Sequence, residues 1–388
     1  MRSYRLTAKA CYLSYVVQAL VINLPPLLFA SFARLYGINE RQMGFLILLI
    51  FSVQIVIDLL STPLSRLLGY RGTMLLGHAS VVVGLVVMAF FRGFHGLVVS
   101  LILQGLGSGV VEVLISPIIQ YMPDSSDKDH MMSLLHSFYC WGMVVVIAFS
   151  TLLFRLLGEA RWFLIPLLWI PVPFVAFLLF LLVPIAPVPG DGKGQGIGLV
   201  GLVRQPVFWI LLVMMPLGSS SEQAVSQWVS YYAELGLGVT KLTGDLAGPC
   251  LFALMQGLCR LWYSRETNLS VEKLMVSSTV LCMAGYFFIV HGNTPVLSLL
   301  GCAMVGFAVG CFWPGTFSLS ARHLPGGGTL LFSLLAFAGD VGCGMGPQVV
   351  AWAPSVSEGL SHAIIFPALL AFCLLVLHRL AAKKADNG

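Results

Sequence analysis

Charge is scarce in this sequence. Only 10% of its 388 residues are Asp, Glu, Lys or Arg, where a soluble domain carries about 25%. So little charge cannot cover a water-facing surface, which excludes an ordinary soluble protein. A basic stripe is missing too. The formal net charge is +5, but the Lys and Arg residues are scattered at helix ends, so the footprint of a nucleic-acid binder is absent. None of the nine cysteines shows metal-ligand spacing; they lie in or beside apolar segments. There they read as small buried hydrophobes, not as disulfide partners. No Gly-x-x-x-x-Gly-Lys-Ser/Thr loop occurs, which argues against ATP-driven transport. No His/Asp/Cys catalytic cluster is found either. The expectation is a protein that is not an enzyme and needs neither cofactor nor metal.

What is present is apolar length. Hydrophobic residues make up 58% of the chain and the mean hydropathy is +0.93. One helical span needs roughly 20 apolar residues to cross a ~30 Å hydrocarbon core. Twelve such spans take about 240 residues and leave only short loops. The hydrophobic pattern places them near 8–32, 43–62, 73–91, 95–119, 131–154, 162–183, 206–232, 244–263, 271–290, 295–319, 328–351 and 360–380. Helices are expected because a lipid-exposed backbone must satisfy its own hydrogen bonds. The segment Met1 to Lys9 is short and basic and runs into an apolar stretch holding Asn23, Pro25 and Pro26 without a small-residue cleavage site. It reads as a retained first helix, not a signal peptide.

The one long connector runs from Pro184 to Pro206 and includes a Gly/Pro-rich stretch at the chain midpoint. This predicts a six-helix bundle over 1–183, a cytoplasmic linker over 184–205 and a second six-helix bundle over 206–388. Arg34, Arg41, Arg92, Arg155, Arg161 and Lys241 fall in outer loops when both termini are placed inside, and the other Lys and Arg residues fall in inner segments. The positive-inside rule therefore puts both termini in the cytoplasm, and a plasma-membrane protein is expected. The halves echo each other. Gly105-x-x-x-Gly109 with Pro117 matches Gly306-x-x-x-Gly310 with Pro314, and Leu134-Leu135 through Gly142 matches Leu334-Leu335 through Gly342. Offsets of about 200 residues suggest a duplication, and parallel repeats of this kind place a substrate site near the bilayer midplane.

Twelve spans, a central linker and two related halves resemble the major facilitator superfamily. Thr62-Pro-Leu-Ser-Arg66-Leu-Leu-Gly69-Tyr-Arg71 is similar to that family's gating-loop signature, and Gly257-Leu-Cys-Arg260-Leu-Trp-Tyr263 to its degraded second copy. Within the family, Gly105-Leu-Gly-Ser-Gly109-Val-Val-Glu112 and Leu135-His136-Ser-Phe138-Tyr-Cys-Trp-Gly142 resemble the fucose-permease-like sugar and proton symporters. Those permeases carry an acid in helix one; here the polar residues of that helix are Gln18 and Asn23. The resemblance implies an all-α membrane protein of two pseudo-symmetric six-helix bundles. It also implies gating roles for Arg66, Arg71 and Arg260, joined by Asp58 at the end of span two.

Ionisable residues inside spans cost about 3 kcal/mol at mid-helix on translocon scales and point by default to function. Asp58, Glu112, Glu222 and Asp340 are such residues, with His78 and His136. In span four, Gln104, Ser108, Glu112 and Ser116 recur every four residues and so share one helix face. Span seven carries Ser219, Glu222, Gln223, Ser226, Gln227 and Ser230, a face too wide for a dry interface and expected to line a water-accessible cavity. Polar faces in lipid either glue helices together or line a wet cavity. Glu112, Asp340, Glu222 and His136 are the candidates for proton coupling. Gln18, Asn23, Gln104, Ser108, Glu222, Gln223, Gln227 and Trp313 are the candidates for solute binding, while His78 reads as packing. Four buried acids with no Lys or Arg near a span centre favour a proton-coupled symporter of a neutral polar solute, sugar-like in chemistry. A cation remains compatible with the same acids, which keeps proton-coupled efflux of cationic or amphipathic compounds open. The expected partners are a small solute, protons and the lipid bilayer, around a chain acting as a monomer.

Overall fold

A computed structural model describes residues 4–120, 122–123, 128–186, 198–265, 270–324 and 328–386. Among these residues every regular element is a helix. The chain folds as two compact units, Met1–Gly190 with Thr240–Leu246, and Asp191–Val239 with Ala247–Gly388. Part of the Gly/Pro-rich connector, 187–197, lies outside the described residues.

The first unit is built from α1 (Arg5–Leu27), α2 (Phe29–Tyr36), α3 (Glu40–Phe90), α4 (Phe94–Gln120), α5 (Lys128–Leu157), α6 (Leu164–Trp169) and α7 (Pro171–Leu182), with the short α10 (Lys241–Asp245) packed on α5. Expected spans two and three form one continuous element, α3, broken only at Gly69. Gly69 has φ +69°, a left-handed conformation that a Cβ disfavours, so the glycine turns the chain between the spans without a longer loop. α3 begins with a capping box in which Asn39 and Gln42 bond each other's backbone N–H groups, which satisfies two donors the helix leaves open.

The second unit holds α8 (Leu199–Val203), α9 (Pro206–Tyr231), α11 (Leu251–Arg265), α12 (Val271–His291), α13 (Pro295–Val309), α14 (Phe312–His323), α15 (Gly328–Trp352), α16 (Val356–His362) and α17 (Ile365–Asp386). Expected span ten is divided into α13 and α14 at Gly310 and Cys311. Pro314 has no N–H to offer the carbonyl four residues back, which explains a break at that point.

Eleven helical stretches among the described residues are long and apolar enough to cross a membrane. They coincide with eleven of the twelve spans expected from the sequence. The other one is α9, the expected seventh span. It has 26 residues, length enough to cross, but Ser219, Ser220, Ser221, Glu222, Gln223, Ser226, Gln227 and Ser230 dilute its apolar character. Those eight side chains are all buried, so the helix is polar where it faces protein.

The internal repeat extends to packing. A Cβ on Gly109 would touch Gln54 and Ile57 of α3, and one on Gly310 would touch Gln256 and Cys259 of α11. A Cβ on Gly142 would touch Val16 and Ala19 of α1, and one on Gly342 would touch Pro216 and Ser219 of α9. Equivalent glycines thus let equivalent helix pairs approach closely within each unit. This small-residue contact is how helices associate in lipid, where no hydrophobic force drives them together.

Candidate functional site

In the first unit the polar residues of three helices meet at Glu112. Gln18 of α1 donates from Nε2 to Glu112 Oε2 at 2.8 Å, and Gln54 of α3 donates to the same oxygen at 2.6 Å. Gly109 is what lets α4 come close enough to α3 for this contact, one turn from Glu112. Hydrogen bonds to a charged group contribute about 1.5–3 kcal/mol each. The carboxylate is half-buried, whereas both glutamines are buried. Each glutamine directs its N–H2 group to Glu112, and each amide Oε1 is buried without a hydrogen-bond partner. Ser108 Oγ, one turn away on α4, is buried and unpartnered as well. The site therefore offers acceptors: a carboxylate, two amide carbonyls and a hydroxyl. Such a set suits a solute that donates hydrogen bonds.

The second unit carries a different cluster. Glu222 of α9 is 4% exposed, and its Oε1 accepts a long 3.4 Å bond from Gln223 Nε2. Gln223 Oε1 in turn accepts from Gln227 Nε2 at 3.0 Å and from Ser226 Oγ at 3.2 Å. Gln256 and Arg260 of α11 lie near Glu222, where the charge of Arg260 acts on the carboxylate, and neither side-chain polar atom of Gln256 has a hydrogen-bond partner. Arg260, expected at a cytoplasmic gate, lies within electrostatic range of this carboxylate. The charge of Arg260 thus acts on one of the acids that the sequence set apart from any cation near a span centre. The serines of α9 do separate work. Ser219 Oγ donates to Gly339 O at 2.6 Å and Ser220 Oγ to Gly342 O at 2.9 Å, which ties α9 to α15. The broad polar face of α9 is thus half glue and half cluster.

Asp340 of α15 is 6% exposed, on the stretch that those two serines hold. Trp313 of α14 lies against the neighbouring residue, Gly339, where a Cβ would come within 2.5 Å of the indole ring. Asn23 bonds Ala19 O within its own helix at 2.8 Å. Gln104 packs against Gly84 of α3 and donates to Ser100 Oγ at 2.7 Å, so it sits in a helix-helix contact away from Glu112. Arg71 donates to Leu181 O and Val183 O, both at 2.7 Å, and so caps the carbonyl end of α7. His78 lies between Ser14 and Met74 O and stacks on Phe180. Asp58, Arg66 and His136 lie on α3 and α5, and their side chains lie outside the described residues.

Three participants escaped the sequence reading. Gln54 and Gln256 are single amides in apolar runs, and single amides are common helix glue. Their separation matches the offset of the repeat, which is the signal that could have found them. The third is Asp245, 1% exposed at the end of α10, bonded to Thr151 Oγ1 at 2.8 Å and paired with Lys241 at 3.1 Å. Lys241 also donates to Leu27 O at 2.5 Å and lies over the Phe154 ring. The sequence placed Lys241 in an outer loop and Asp245 at the start of span eight, and burial of Asp245 follows from this lysine partner.

A family model described as Major Facilitator Superfamily matches residues 11–347. Similar solved structures include the Escherichia coli fucose:proton symporter FucP, at 16% identity and a TM-score of 0.64, covering 98% of this chain and 99% of that one. The nucleoside transporter NupG is similar at 13% identity and a TM-score of 0.78, over 96% and 99% of the two chains. A bacterial homologue of the human lysosomal transporter Spinster, in an inward-facing and unoccupied conformation, is similar at 13% identity and a TM-score of 0.75, over 98% of each chain. No curated protein sequence matches. At these identities the structural likeness establishes the fold.

Proposed function

Because this chain belongs to the major facilitator superfamily, a family of membrane transporters, we propose that it moves a small polar, sugar-like solute by alternating access, coupled to protons. The observation that carries this reading is the Glu112 cluster. A carboxylate in a membrane helix is costly, and here it accepts from two amides whose carbonyls are buried without a hydrogen-bond partner. A carboxyl in a membrane helix can take up a proton from one side and release it to the other, which is the role proposed for Glu112. Hydroxyl groups of a sugar or a ribose ring are suitable donors for the acceptor set around it. The fucose and nucleoside specificities named for two similar structures belong to solutes of this kind. We place the protein in the plasma membrane with both termini cytoplasmic, from the distribution of Lys and Arg. Arg66, Arg71 and Asp58, on the two spans within α3, and Arg260 on α11 stay assigned to gating at the cytoplasmic side.

The test is uptake by proteoliposomes of labelled fucose and labelled uridine under an inward proton gradient. Accumulation that a protonophore abolishes supports the reading. Glu112→Gln should lose gradient-driven accumulation and keep solute exchange at equal pH. Undiminished accumulation by Glu112→Gln would remove Glu112 from the coupling. The same acceptor cluster also fits an ammonium group, which supports a second reading, proton-coupled efflux of cationic or amphipathic compounds. Resistance of a sensitised host to cationic dyes, with no uptake of either neutral solute, would favour efflux.

A further inference from the structure

Two thiols meet where span ten is broken. α13 ends at Val309 and α14 begins at Phe312, with Gly310 and Cys311 between them. Gly310 lies against Cys259 of α11: a Cβ built on it would stand 2.7 Å from Cys259 Cβ and 3.1 Å from Cys259 Sγ. With no side chain at Gly310, the break packs directly on Cys259, and the next residue along the chain is Cys311. Its Sγ donates to Ala308 O at 3.4 Å, so the side chain folds back over the last turn of α13. There the two thiols lie within hydrogen-bonding reach of each other. Neither is in a disulfide, and both residues are fully buried. Ser278 and Cys282 of α12 lie beside Cys311. All of these residues belong to the second unit.

Burial selects what can reach the pair. Exchange with a bulky disulfide such as glutathione disulfide needs access to the attacking sulfur, and neither sulfur has exposed surface. Hydrogen peroxide is small and uncharged, and local openings of the packed helices admit it. We propose that Cys259 and Cys311 are a peroxide-sensitive dithiol whose disulfide ties α11 to the break in span ten. One sulfur attacks the peroxide: an S–O bond forms, the O–O bond breaks, and the second oxygen leaves as water with the thiol proton. The other sulfur then attacks this sulfenic acid. An S–S bond forms, the S–O bond breaks, and a second water leaves with the second thiol proton. The two sulfurs together lose two electrons and the peroxide gains them.

α11 also carries Gln256 and Arg260, which lie near Glu222. The disulfide therefore fixes the helix beside the second polar cluster and acts as a brake on movement of α11 past the break. This inference is independent of the solute and of proton coupling at Glu112.

The test exposes the full chain, reconstituted in lipid, to hydrogen peroxide or to glutathione disulfide. Remaining thiols are then blocked, and the digested peptides are mapped by mass spectrometry. Peroxide should remove two hydrogen atoms from the intact mass and link the Cys259 and Cys311 peptides, and dithiothreitol should reverse both. The thermal unfolding midpoint should rise with the link, because a cross-link restricts the unfolded chain, and should fall back on reduction. Cys259→Ala and Cys311→Ala should each lose the link and the midpoint shift. If either variant does not fold, the wild-type map decides alone. Oxygen added to either cysteine with no link, or a link that joins either one to Cys282, would overturn the pairing. All nine cysteines left as thiols after peroxide would overturn the dithiol itself. Glutathione disulfide acting as fast as peroxide would overturn the selection by burial.

Discussion

Glu112 and Glu222 are both carboxylates in membrane helices, but their neighbours differ in kind. Glu112 accepts from two amides on other helices, whereas Glu222 accepts from its neighbour Gln223 and lies within range of the charge of Arg260. Replacing Arg260 by Met should therefore cost more than replacing both Glu222 and Arg260 by apolar residues, because a lone buried charge is worse than none. Thermal unfolding in detergent checks this; equal losses in the single and double variants would contradict it. At this scale the sequence was half legible. Glu112, Glu222 and Asp340 stood out because ionisable residues are rare in apolar runs. Gln54 and Gln256 did not, since an isolated amide acquires meaning only from the residue opposite, and that neighbour comes from a distant part of the chain.

Among the elements, α9 shows how polarity inside a membrane protein can be misread by hydropathy alone. Its serines bond the backbone of α15 through Gly339 and Gly342, so they contribute cohesion where the sequence suggested a wet lining. The glycine contacts were legible as a repeat in the sequence, but their partners were not. A Cβ at Gly342 would lie 2.2 Å from Ser219 Oγ and 2.3 Å from Pro216 O, so Gly342→Ala should force α15 away from α9. The expected loss is about 1–3 kcal/mol, read from thermal unfolding, and an unchanged midpoint would refute the close approach. A similar argument applies to α10. Asp245→Asn breaks a buried pair with Lys241 and should destabilise by about 3–5 kcal/mol. Lys241→Met with Asp245→Leu should recover part of that loss. A double variant less stable than Asp245→Asn would show that the pair itself stabilises the unit.

For the molecule as a whole, length, hydropathy and the repeat made the fold class legible from the chain alone. Eleven spans have the length and hydropathy of a membrane helix, and α9, which the hydrophobic pattern placed with them, has the length but a composition diluted by polar residues. The solute was not legible, because major facilitator folds share their scaffold while specificity rests on a few side chains. The charge distribution predicts the topology. A fluorescent protein fused to the carboxyl terminus should mature, and alkaline phosphatase fused there should be inactive; the reverse pattern would place that end outside.

Everything proposed for Glu112 depends on solute and proton crossing together. A pH electrode outside lightly buffered proteoliposomes, with no gradient imposed, measures this directly when fucose or uridine is added. Coupled entry should make the external medium alkaline as solute enters, and the signal should disappear in Glu112→Gln. Solute entry with no change in external pH would contradict it.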